Sequence, residues 1–198
     1  MLSVISINPQ ELKGDWLEGW ALDLHTVVSR YDSRRGRYWT IRTPLGEMIY
    51  NYKYHRQWWL KRKLARTAAE FLIAKDVRSN VQCLVLVPPR RFRLLFQPVR
   101  SLGKRIGKML HLPVETRILR FRKRLPELKT IKDPVMRAKL VKNMFTVKSR
   151  KLSGHSVLLF DDLYRSGMSL NEAARALRDE GGVRLIRVLT MTKTRTKR

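Results

Sequence analysis

The sequence predicts an α/β fold: a mostly parallel sheet flanked by helices, with a β-rich N-terminal element. Three observations predict it. Short, nearly continuous apolar runs at Val81-Gln82-Cys83-Leu84-Val85-Leu86-Val87, Val157-Leu158-Leu159-Phe160 and Leu185-Ile186-Arg187-Val188-Leu189 have the form of strands buried on both faces. Segments of helical periodicity separate them, so strand, helix and strand alternate from about residue 81 onward. Of the 198 residues, 43% are hydrophobic, enough to bury one core.

Residues 1–56 read as the β-rich element or hood, 57–190 as the α/β domain and 191–198 as a basic tail. In the first, Trp16, Trp20, Leu22, Leu24 and Val27-Val28 lie in strand-like surroundings. Ser33-Arg34-Arg35-Gly36 offers a turn and Tyr38-Trp39-Thr40-Ile41-Arg42 resumes an extended pattern, which makes a hairpin. His25, with no cysteine or second histidine nearby, reads as structural. Residues 57–76 are helical, with Leu60, Leu64, Ala68, Phe71 and Leu72 on one stripe and a basic face opposite.

After the run ending at Pro88-Pro89, residues 99–110 form a second helix and 114–119 a strand. Residues 120–133, rich in Lys and Arg, read as an exposed loop, and 134–143 as a short helix begun by a proline. Met144-Phe145-Thr146-Val147 is a strand. The last unit is strand 157–160, a loop over 161–168, a helix over 169–180 closed by Gly181-Gly182, strand 185–189 and a fraying end over 190–198.

One cysteine, Cys83, excludes a disulfide framework and a cysteine-based zinc ribbon. It reads as a buried small hydrophobe in a reducing cytoplasm. No apolar run approaches the ~18 residues of a membrane span, and Leu2-Ser3-Val4-Ile5-Ser6-Ile7 is short for a signal sequence and lacks a basic lead. The formal charge of +27 draws polyanions: nucleic acid, anionic membrane or phosphorylated metabolites.

Ligands of open α/β sheets bind beyond the carboxyl ends of the strands. The loop after Phe160 lies at such an end and leads into a helix N-terminus, where successive N–H groups cradle anions. Ser166 and Ser169 add hydroxyls, and Gly167 lets a phosphate approach the backbone. Asp161 and Asp162 would repel that phosphate, so their target is something beside it that donates hydrogen bonds. Adjacent sugar hydroxyls meet that need, and a ribose phosphate follows. Ser169-Leu170-Asn171-Glu172 also has the form of a capping box, which phosphate binding does not exclude.

The segment from Val157 to Leu170 resembles the phosphoribosyl-pyrophosphate (PRPP) motif of type I phosphoribosyltransferases: four apolar residues, two acids, a short loop and a hydroxyl-Gly-x-hydroxyl ending. Serines at 166 and 169 stand where that family has threonines. From about residue 57 to 195 the chain is similar to the ComF group of that superfamily, relatives associated with DNA uptake. Val87-Pro88-Pro89 with Arg90, Arg91 and Arg93 resembles its pyrophosphate loop, and Leu128-Lys129-Thr130 through Asn143-Met144-Phe145 its flexible catalytic loop and following strand. The zinc ribbon common in the group is absent. Phe96-Gln97-Pro98-Val99 stands where the group has Arg-Gly-Phe-Asn-Gln, and no nucleobase pocket is readable.

The resemblance implies a type I phosphoribosyltransferase fold and an enzyme that transfers phosphoribosyl from PRPP to a nitrogen acceptor. Asp161 and Asp162 would hold the ribose hydroxyls. Tyr164, Arg165, Ser166, Gly167, Met168 and Ser169 would hold the 5′-phosphate. Pro88, Pro89, Arg90 and Arg91 would meet the pyrophosphate, and Lys129 would ride a closing loop. Mg²⁺ would be held by pyrophosphate and water near Asp161 or Asp162, with no direct protein ligand. The alternative is a PRPP or phosphate sensor whose basic surface binds nucleic acid, through Arg120-Phe121-Arg122-Lys123-Arg124 and the tail. A purely structural role, with the loop binding nothing, is the third reading. An oligomer is compatible with the sequence.

Overall fold

A computed structural model describes residues 5–89, 97–122, 133 and 142–195. Arg90, Arg91, Arg93, Lys123, Arg124, Lys129 and most of the expected helix over 134–143 lie outside the described residues. A six-stranded sheet orders the strands β1-β2-β10-β9-β5-β6. They are β1 (Gln10–Glu11), β2 (Glu18–Leu24), β5 (Cys83–Leu86), β6 (Val114–Glu115), β9 (Ser156–Tyr164) and β10 (Leu185–Lys193). Only β1, at the edge, is antiparallel to its neighbour. The expected α/β architecture with a mainly parallel sheet is therefore what the chain adopts.

The central strands are apolar throughout because both faces are covered. Alternation along β9 divides its side chains between two cores. Leu158 and Phe160 join the layer of α1 (Pro44–Tyr54), α2 (Leu60–Ala74) and α3 (Pro98–Leu110). Val157 and Leu159 join α4 (Met168–Arg175), the π-helical turn Ala176–Glu180 and a ribbon of β7 (Leu119–Phe121) and β8 (Phe145–Val147). Cys83 is buried in the second core, and burial pushes its thiol up to about 11, so it acts as a hydrophobe.

Several boundaries differ from the sequence reading. The predicted strand over 114–119 is two: after β6 the chain leaves the main sheet and forms β7 against β8. β10 continues through Thr190, Met191 and Thr192 to Lys193, where fraying was expected, because β2 and β9 both pair with it there. The expected hairpin forms from β3 (Thr26–Asp32) and β4 (Arg37–Arg42). Its predecessor β2 instead joins the central sheet, and residues 44–54 are helical.

Glu180 ties the second layer together. Its carboxylate accepts from Thr146 Oγ1 at 2.9 Å, the Val147 amide at 3.2 Å and Arg122 at 2.6 Å, with Arg175 at 3.4 Å. Burial pushes its carboxyl up, but the Thr146, Val147 and Arg122 donors outweigh that, and it is held below the usual glutamate range. A carboxyl depressed in the fold stabilises above its unfolded value and loses that contribution as pH falls through the folded value. Glu180→Gln should therefore cost about 1–2 kcal/mol at neutral pH, a difference that fades in denaturant titrations carried into the acid range.

Candidate functional site

The candidate site is built where β9 and β10 end. Thr190, Thr192 and Lys193 pair with Asp161, Leu163 and Tyr164, so β9 extends four residues beyond the expected strand. The connecting loop is only Arg165-Ser166-Gly167 before α4 begins. Both acids thus sit in a strand, not in a loop, and the alternation of the strand sends them to opposite faces. Asp161, next to the Asp162 amide that it accepts from at 2.8 Å, faces the α4 layer. Asp162 faces α1.

Gly167 caps α4 in the left-handed region (φ 75°, ψ −15°) and is buried. A Cβ there would come 2.6 Å from Tyr164 Oη. Position 167 therefore requires glycine both for its backbone and for its neighbour. The first-turn N–H groups of α4 have no acceptor within the helix, which makes this end receptive to an anion. Arg165 and Ser166 are exposed, Tyr164, Met168 and Ser169 half-buried. Thr194 fastens the loop from outside, its amide donating to Tyr164 O at 2.9 Å.

The capping box does not form. Gly167 precedes the helix, Ser169 lies within its first turn, and Glu172 accepts from the Asn143 amide at 2.7 Å and from Arg175 at 3.1 Å. The N-cap is the left-handed Gly167, two residues before the serine that the capping box would use.

Pro88 and Pro89 meet this site. The Val87 amide donates to Phe160 O at 3.1 Å, so the diproline leaves β5 beside the residue preceding Asp161. The structure therefore gathers Pro88-Pro89, Asp161-Asp162 and the segment 164–169 at the carboxyl edge of neighbouring strands. Arg90, Arg91 and Lys129 lie outside the described residues.

Three residues at this edge were given no site role from the sequence. Lys53 Nζ of α1 sits 2.5 Å from Asp162 Oδ2, with Asp162 buried. Burial pulls the Lys53 amine down, but the charge and hydrogen bond of Asp162 outweigh it, and the amine is held above its ordinary range. His25 follows β2 and shares a hydrogen bond with Thr192 (Nδ1 to Oγ1, 3.1 Å). Burial, then Arg42 and Lys53, push its imidazole down, which keeps it neutral. Asp23 is buried at the end of β2, where burial raises its carboxyl against the Leu24 amide and Thr43. The histidine expected to be structural is hydrogen-bonded, and it stands within the field of Asp162 and Arg165.

Lys53 had a sequence signal. Leu45, Ile49 and Tyr52 form the buried stripe of α1, and position 53 continues it from Ile49 by one helical turn. A cation on an apolar stripe needs a buried partner. The helix itself is announced by Thr43-Pro44: Thr43 Oγ1 accepts from the Gly46 amide at 3.0 Å and donates to Leu24 O at 2.6 Å, and Pro44 fills the first turn. Thr43→Ala should cost about 1–2 kcal/mol, read as a midpoint lower by about 2–4 °C per kcal/mol in thermal unfolding.

The expected nucleic-acid cluster at 120–124 is partly committed elsewhere. Phe121, half-buried, packs on Phe145 with centroids 4.8 Å apart, and Arg122 pairs with Glu180. Among the described residues no helix is long and apolar enough to cross a membrane, and no group of three or more acidic, histidine or cysteine side chains is placed to hold a metal.

No family model matches the sequence, and no curated protein matches it. Among solved structures the chain is similar to the UMP synthase of Leishmania donovani, at 15% identity and a TM-score of 0.39 over 83% of this chain. It spans 28% of that protein's length. Similarity of this depth assigns neither a substrate nor a residue.

Proposed function

We propose that this protein binds PRPP at the carboxyl end of β9 and transfers its phosphoribosyl group to a nitrogen acceptor, releasing pyrophosphate. One observation carries the reading: a carboxylate pair lies near the carboxyl end of a central parallel strand, and three residues after that strand a helix begins at a left-handed glycine. Phosphate-binding N–H groups and diol-binding carboxylates are thereby a few residues apart.

In this reading the first turn of α4, with Ser166 and Ser169, receives the 5′-phosphate. Asp161, on the α4 side of the strand, accepts from the ribose hydroxyls, while Asp162, turned to the α1 side and paired with Lys53, contributes negative charge beside them. Lys53 neutralises Asp162, which lowers the repulsion a phosphate would meet there. Pro88 and Pro89 line the approach of the pyrophosphate; Arg90, Arg91 and Lys129, outside the described residues, are the cations proposed to act on it. The acceptor nitrogen forms a bond to the anomeric carbon as the bond from that carbon to pyrophosphate oxygen breaks. The electron pair leaves with pyrophosphate, and the nitrogen proton passes to solvent or a base.

Mg²⁺ fits the donor set as a passenger of the substrate. It prefers phosphate oxygens and water, and the carboxylates that would stand beside it are Asp161 and Asp162, the latter already paired with Lys53. Bound there, it would supply charge neutralisation of the departing pyrophosphate.

A second reading, a PRPP sensor without transfer, is favoured by the engagement of Asp162 with Lys53. Pyrophosphate release with PRPP, Mg²⁺ and a panel of amines and nucleobases separates the two. Turnover that stops with Asp161→Asn supports transfer. PRPP binding without release for any acceptor supports the sensor, and absence of both rejects the site.

A further inference from the structure

The β3–β4 hairpin presents both of its faces to solvent. Tyr31 stands opposite Tyr38 and Ser29 opposite Thr40 on one face; Arg30 stands opposite Trp39 and Val28 opposite Ile41 on the other. The two tyrosine rings meet edge-on with centroids 5.2 Å apart, yet Tyr31 and Tyr38 remain 60% and 64% exposed. Trp39 is 56% exposed on the opposite face, and Val27 and Ile41 are exposed as well. A bare two-stranded hairpin is marginal in water, and large apolar side chains concentrated on one mark a binding surface.

Charge selects the occupant. Residues 26–42 carry Arg30, Arg34, Arg35, Arg37 and Arg42 against Asp32, so 5 − 1 = +4. A second copy would set +4 against +4 in a chain of +27. A polyanion complements it, and rings interleaved with arginines suit one whose monomers also have π-faces. Paired bases are stacked on one another and cannot reach rings on two sides of a narrow ribbon, whereas unpaired bases can.

We propose that this hairpin binds single-stranded nucleic acid, with bases stacked on Tyr31, Tyr38 and Trp39 and phosphates neutralised by the arginines beside them. Tyr31, Tyr38 and Trp39 are not among the residues gathered at the carboxyl end of β9, and the proposal stands whether or not that site binds PRPP.

The test is fluorescence anisotropy of the full chain with labelled oligothymidine and oligouridine of about 20 nucleotides and a duplex of equal length, over a salt series. Single strands should bind more tightly than duplex at ~150 mM salt, and comparing the two single strands reports any preference for deoxyribose or ribose. Tyr38→Ala and Trp39→Ala should each weaken binding about fivefold or more, with Trp39→Phe within about twofold of wild type. Arg30→Ala should flatten the log–log salt slope by about 0.7. Trp59→Ala, at a residue 72% exposed outside the hairpin, should change nothing. Equal loss from Trp59→Ala, a preference for duplex, or ring variants binding like wild type overturns the proposal. So does sedimentation showing a dimer that Trp39→Ala dissociates, which would make a second copy the occupant.

Discussion

Replacing Lys53 with methionine should destabilise the protein by about 2–4 kcal/mol, a large share of what a domain of this size holds. The substitution keeps the length of the side chain and removes only the cation. Asp162 would then be left buried with an uncompensated charge, since its Oδ2 lies 2.5 Å from Lys53 Nζ. Asp162→Asn should cost less, because Lys53 is the more exposed partner, with 29% of its side chain accessible against 11%, and can turn its amine toward water. Lys53→Met combined with Asp162→Asn should lie well short of the sum of the single losses, and that shortfall in a denaturant-melt cycle measures the coupling. The Lys53 amine is raised in the fold, so its contribution is complete below the ordinary lysine range and disappears only as pH rises through the folded value. The penalty should therefore be flat across neutral pH and shrink only under strongly alkaline conditions.

Gly167→Ala is expected to be nearly as severe, by a different route. At φ 75° any side chain is strained, and the added methyl would lie 2.6 Å from Tyr164 Oη and 3.0 Å from Cζ. The Tyr164 ring, packed against the second core, would have to shift, which adds to the backbone strain. A loss of about 2–3 kcal/mol in thermal or denaturant unfolding follows, together with loss of any ligand response that depends on the first turn of α4. Ser166→Ala, at an exposed position in the same loop, should leave stability unchanged and serves as the control.

These two positions show how far the sequence could be read. The central strands were legible because apolar runs such as Val157 to Phe160 have no alternative but a sheet covered on both sides. Gly167 was legible because a glycine between hydroxyl residues before a helix has few other uses. The extension of β9 through both aspartates was not, since it depends on β10 offering Thr190 to Lys193 as partners, a pairing that no local pattern announces. The parallel pairing of β2 with β10 links residues more than 160 positions apart and was hidden for the same reason. Lys53 was readable in principle, but only once Thr43-Pro44 had been recognised as a helix start, which the strand-like aromatic residues before it obscured.

Whether the end of β9 recognises ribose phosphate is decided by thermal unfolding with and without PRPP and Mg²⁺ in ~150 mM salt. A ligand at about 100 times its dissociation constant adds about 2.7 kcal/mol, which for this size raises the midpoint by roughly 5–11 °C. ATP and pyrophosphate control for general attraction of a +27 chain to polyanions. The shift is compared within each protein, because Asp161→Asn with Asp162→Asn also unpairs Lys53 and lowers the baseline. A PRPP shift well above both controls, lost in the double variant, is the predicted result. Equal shifts from every polyanion, or none from PRPP, would contradict it.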